Sequence, residues 1–141
     1  MNDAAVRSSP AVLSSAAVRV GVIGAVVVAA LVRLPFLFGY GVDDDEFYTL
    51  RNAETLLATP TPDAVSHFPV SFAVTRAVVE WFGLNAFGLR LFPVVAGVLA
   101  VWTMARLGRR VLDARVGLGA AAVLALWPWQ QYYSGLARYY A

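Results

Sequence analysis

The 141-residue chain has no cysteine and no lysine, a single histidine (His67) and only 14% charged residues. The missing cysteines exclude disulfides and thiolate chemistry, and leave the redox compartment open. All eleven basic residues are therefore arginine. A net charge of +2 is too small to imply a nucleic-acid partner. A soluble domain carries roughly a quarter charged residues. Here apolar residues make up 60% and the mean hydropathy is +0.66. These values indicate an integral, all-α membrane protein.

Crossing a bilayer takes about 20 apolar residues. Three segments reach that length, at about 20–42, 87–107 and 116–137. The first is interrupted only by Arg33, and the third holds no charge. Residues 1–16 are small and polar and read as a disordered cytoplasmic tail. No cleavage site for a signal peptide follows the first apolar run. Arg106, Arg109, Arg110 and Arg115 share one short connection, which the positive-inside rule makes cytoplasmic. Arg7 and Arg19 place the N-terminus on the same side. The loop 43–86 and the residues after 135 then lie outside. Trp127, Trp129, Tyr132 and Tyr133 mark the outer interface.

Within the external loop, residues 66–82 are too short and too polar for a fourth span. Ser71, Thr75, Arg76 and Glu80 fall on one side at helical spacing, which predicts a helix lying in the interface plane. Arg76 and Glu80 are spaced to pair at i,i+4. Residues 45–59 predict a second interfacial helix, with Phe47, Leu50 and Leu57 on one face and Pro60 and Pro62 ending it. A four-span hairpin layout is the alternative.

Four of the nine acidic residues, Asp43, Asp44, Asp45 and Glu46, sit together just after the first segment. Their plain reading is capping and dipole stabilisation of the following helix, although one or two acids would serve for that. Their chemical reading is a carboxylate at headgroup depth that orients or deprotonates an incoming hydroxyl. Hard-cation binding is a third option, but the spacing matches no calcium loop. Arg90 and Arg138 stand at the outer ends of the second and third segments, where the positive-inside rule disfavours them. Each alone reads as a snorkelling anchor. Together they suit a phosphate, which arginine grips bidentately. Arg33 reads as a snorkeller at the outer end of its span. His67 reads as a phosphate donor, a metal ligand or an ordinary interfacial residue.

The order of features resembles a known family. An Asp45-Glu46 pair with an aromatic opens the external loop. His67-Phe68-Pro69 starts an interfacial helix, and a Phe82-Gly83 turn follows. Leu89-Arg90-Leu91-Phe92-Pro93 begins the second span, and Leu107-Gly108-Arg109-Arg110 ends it. Tyr133-Ser134-Gly135-Leu136-Ala137-Arg138-Tyr139-Tyr140-Ala141 closes the chain. From about residue 17 onward this resembles the N-terminal part of the polyprenyl-phosphate-sugar glycosyltransferases. These are the protein O-mannosyltransferase-like and aminoarabinose-transferase-like enzymes of glycosyltransferase family 39, which have the GT-C fold. The resemblance implies a partial GT-C fold of three spans with two juxtamembrane helices. It implies transfer of a sugar from a polyprenyl-phosphate donor to an acceptor hydroxyl on a protein, lipid or glycan, with inversion, on the outer face. Asp45 takes the catalytic role with Glu46 beside it. Arg90, Arg138 and His67 serve the donor phosphate. No cofactor is required by the resemblance, and a divalent metal is compatible with it. Phe68 and Leu136 depart from the family pattern, which has Pro and an acid there. Family members carry many more spans, so the chain reads as a truncated portion of such an enzyme. The rival reading is a non-enzymatic membrane protein that grips lipid headgroups or serves as a scaffold subunit. A transporter is the weaker third reading, because no charge lies deep in a span.

Overall fold

The computed structural model describes residues 14–39, 44, 46, 47, 49, 51 and 69–136. Among these residues the chain is all-helical, with no strand. Six helices follow in order: α1 (Ser15–Leu31), α2 (Leu34–Phe38), α3 (Pro69–Phe82), α4 (Ala86–Val111), α5 (Ala114–Leu126) and α6 (Pro128–Gly135). Asp44, Glu46, Phe47, Thr49 and Arg51 are also helical, as the helix expected over 45–59 requires. The expected tail 1–16 and the Pro60–Pro62 stop lie mainly or wholly outside the described residues.

Two stretches are long and apolar enough to cross a membrane, Ser15–Phe38 and Ala86–Val111. The first starts about five residues before the expected boundary, because Ser14 caps it: its Oγ accepts from the Ala17 amide at 3.1 Å. It is not one helix. The chain turns at Val32–Arg33 and resumes as α2, with Pro35 in the first turn, where its missing N–H costs nothing. The second begins where Gly83 turns the chain with φ +75° and Asn85 caps α4, accepting from the Gly88 amide at 2.7 Å. Arg109 and Arg110 occupy its last turn, where cations suit the helix dipole.

The charge-free segment expected as a third continuous helix is divided. Trp127 is extended (φ −65°, ψ 117°) and separates α5 from α6. Pro128 accounts for the break: it disfavours helical backbone at the residue before it and cannot donate into the preceding turn. The helix expected over 66–82 is present as α3. Arg76 Nε donates to Glu80 Oε1 at 2.8 Å on its exposed face.

Small side chains hold the helices together. Ala29, Val101, Ala105, Ala121 and Ala125 form the buried centre of α1, α4 and α5. Lipid and protein interiors are equally apolar, so such contacts rest on close approach rather than on water exclusion. The approach is closest at the α4–α5 corner. A methyl group on Gly117 would lie 2.6 Å from the Arg109 amide nitrogen and 2.8 Å from the Ala105 carbonyl oxygen. Neither backbone atom can swing aside. Gly117→Val is therefore expected to destabilise the chain by about 1–3 kcal/mol. Thermal unfolding in detergent measures this, and parental stability would mean the helices do not touch there.

Connectivity gives the bundle two distinct ends. Asp113 caps α5, its Oδ1 accepting from the amides of Arg115 (2.7 Å) and Val116 (2.9 Å). That two-residue link turns α5 back along α4. Arg106 to Arg115 mark one end. At the other end α2, α3 and α6 gather around the start of α4. Phe38 stacks on Phe87 at 5.5 Å, and Phe82 meets Phe87 edge-on at 6.4 Å.

Candidate functional site

Among the described residues four polar side chains are almost fully buried, and all lie at the α2–α6 end: Arg33, Glu46, Arg90 and Ser134. The start of α4 positions the first centre. Arg90 stands one turn into α4, on the same inward face as Pro93, Val94 and Gly97. Its Nε donates to Glu46 Oε1 at 2.7 Å, and its Nη2 donates to Glu46 Oε2. The guanidinium thus offers its side-on fork to both carboxylate oxygens. Its Nη1 donates to the Phe36 carbonyl of α2 at 2.8 Å. Phe36 and Glu46, 54 and 44 positions before Arg90, thus meet on this one side chain.

Arg33 builds the second centre. The expectation of a snorkelling anchor is overturned: Arg33 is fully buried, with its side chain directed into the bundle. Its Nε donates to Ser134 Oγ at 2.8 Å, and its Nη1 donates to the Ala29 carbonyl at 2.6 Å. Ser134 Oγ in turn lies 2.6 Å from the Gln130 carbonyl, one turn back on α6. Gly97 makes the space. A methyl there would lie 2.6 Å from Ser134 Cβ and 3.1 Å from Arg33 Nε. Gln130 Nε2 approaches the Gly97 carbonyl at 3.4 Å. Two buried atoms, Arg33 Nη2 and Gln130 Oε1, have no hydrogen-bond partner.

The two centres differ electrostatically. Arg90 is neutralised by a carboxylate at contact distance. Among the described residues Arg33 meets only a hydroxyl and a carbonyl, which are dipoles. A guanidinium without a counter-charge is costly to bury, so the described part of this layer is electropositive and suits an anionic group. Of the residues singled out in sequence, Glu46 and Arg90 are brought together. Asp45, His67 and Arg138 lie outside the described residues. Asp44 is exposed. Among the described residues no three acidic or histidine side chains converge as a metal site would require.

Arg33 and Ser134 were not expected as a pair. One signal did point to Arg33, since an ionisable residue inside an apolar span is by default a functional candidate. Ser134 stands in the closing Tyr133–Ala141 motif, but nothing in the sequence pairs it with Arg33, 101 positions away. No protein family, no curated protein and no solved structure matches this chain.

Proposed function

We propose that this chain is the N-terminal membrane portion of an outer-face glycosyltransferase that takes its sugar from a polyprenyl-phosphate donor. The observation that carries the reading is the Glu46–Arg90 pair. It joins the Asp-Glu pair to the arginine that opens the second span, two of the six motifs whose order carries the family resemblance. In the proposed topology Ser15–Phe38 and α4 are two spans, and α5 with α6 forms a third, broken span in a partial GT-C arrangement. The arginine corner is cytoplasmic and the polar layer faces outward, in a multi-pass protein of the cell membrane.

The proposed chemistry follows from charge. The leaving group is a phosphate held in the lipid, and negative charge grows on it as the sugar departs. Preorganised guanidiniums stabilise that charge most where water is excluded. Arg90 is held ready by Glu46, and the incoming phosphate shares or takes over the fork. Arg138 supplies a second cation, and His67 a neutral donor. Asp45 prepares the acceptor hydroxyl. Glu46 acts as the positioning partner of Arg90 beside it.

Arg90→Lys tests the reading, because it keeps the charge and removes the fork. Loss of one charge-assisted hydrogen bond is expected to weaken binding of a polyprenyl-phosphate sugar by about ten-fold. Competition against a photoactivatable polyprenyl phosphate measures it, and unchanged affinity would overturn the assignment. A scaffold reading is favoured by one observation, that Glu46 already occupies Arg90. On that reading the variant changes stability, and the parent chain binds no polyprenyl phosphate at all.

A further inference from the structure

The opposite end of the bundle carries a second charged feature that the glycosyltransferase reading does not use. Arg106, Arg109, Arg110 and Arg115 lie within ten residues around the α4–α5 corner. Trp102, Arg106 and Arg109 follow at i, i+4 and i+7, so they form one stripe down α4. This stripe lies about 100° round the helix from the packed face of Val101, Ala105 and Gly108. Trp102 and Arg109 are exposed. The Arg106 guanidinium carbon sits 4.9 Å from the Trp102 ring centroid, which fixes its height along the helix.

The corner itself is rigid. A methyl on Gly108 would lie 2.6 Å from Gly117 Cα, so the two backbones touch. The nearby acid, Asp113, has one carboxylate oxygen committed to two α5 amides. Among the described residues, the three guanidiniums of Arg106, Arg109 and Arg110 on α4 stand beside that one carboxylate. Beside them Leu107, Val111 and Leu112 are exposed at 54%, 68% and 69%. A free phosphate or an acidic peptide would leave those apolar side chains uncovered. A phospholipid covers both: its headgroup meets the arginines, and its acyl chains meet the leucines, Val111 and Trp102.

We infer that the α4–α5 corner is a binding site for an anionic phospholipid of the leaflet it meets, gripped by Arg106, Arg109 and Arg110. Clustered arginines next to a span attract anionic headgroups in this way. The site is separate from the Glu46–Arg90 pair: Arg106 to Arg110 stand 16–20 residues past Arg90, about 24–30 Å along α4.

The test uses the whole chain purified from mixed phosphatidylglycerol and phosphatidylcholine membranes, with the retained lipids counted by native mass spectrometry. The parent is expected to retain phosphatidylglycerol preferentially. In Arg109→Gln/Arg110→Gln the preference is expected to fall by about five-fold for each arginine removed. Arg76→Gln, which removes an exposed arginine already paired with Glu80, is expected to leave it unchanged. Added inorganic phosphate is expected not to displace the lipid. A double variant with the parental preference, an equal loss in Arg76→Gln, or displacement by inorganic phosphate would each overturn the inference. If the double variant does not fold, a salt titration of the parent decides. The preference should fall as salt rises, and an unchanged preference counts against the site.

Discussion

Glu46→Ala is expected to lower the stability of this chain by about 3–5 kcal/mol, the cost of leaving one member of a buried ion pair without its partner. The carboxylate and the Arg90 guanidinium are nearly inaccessible to solvent. Once the carboxylate is gone, Arg90 keeps its bond to the Phe36 carbonyl but loses both bonds to Glu46. The double variant Glu46→Leu/Arg90→Met separates this cost from the worth of the pair. It removes both charges and keeps the volume, and a change of that kind is often neutral or stabilising. Most of the loss should therefore be recovered in the double variant. Denaturation of the parent, Glu46→Leu, Arg90→Met and the double variant in one detergent closes the cycle. A loss below about 1 kcal/mol in Glu46→Ala would place the pair in solvent, where ion pairs contribute little.

Local features of the fold were legible because their causes are local. Gly83 turns the chain between α3 and α4, and Arg76 meets Glu80 one turn away. The second span was readable because its apolar run is long and both ends carry arginine. The third was over-read. An unbroken apolar composition masked Pro128, although proline alone predicts an interruption at Trp127.

Arg33 was misplaced for a different reason. Whether an arginine near the end of a span snorkels or turns inward depends on what a neighbouring helix offers it. Here Ser134 offers an acceptor and Gly97 offers room, and both are more than 60 positions away. No local pattern encodes that. The adjacent acids raise the same difficulty. Successive residues of a helix point about 100° apart, so only the rotation of the helix expected over 45–59 decides whether Glu46 meets Arg90. Composition ranks them equally. The structure gives Arg90 to Glu46, which assigns the bound carboxylate without assigning the reactive one.

That division of labour leads to the largest functional effect. If Glu46 holds Arg90, Asp45 is the carboxylate left for the acceptor, and Asp45→Asn is expected to lower turnover by about 10²–10⁴-fold, the contribution of a positioned general base. Asparagine keeps the size and the hydrogen-bonding reach but cannot take the proton of the acceptor hydroxyl. Donor affinity should stay within about two-fold, because phosphate recognition is assigned to arginines and the loss falls on the transition state alone. Glu46→Gln should behave differently. It leaves a carboxyl-shaped group beside Arg90 but removes the counter-charge, so stability and donor affinity move together while the acceptor step is kept. The pair of variants, assayed for transfer from a labelled polyprenyl-phosphate sugar and for donor binding separately, tells the two neighbours apart. Near-parental turnover in Asp45→Asn would remove it from the chemistry. A collapse of donor affinity in Asp45→Asn, with Glu46→Gln silent, would exchange the two roles.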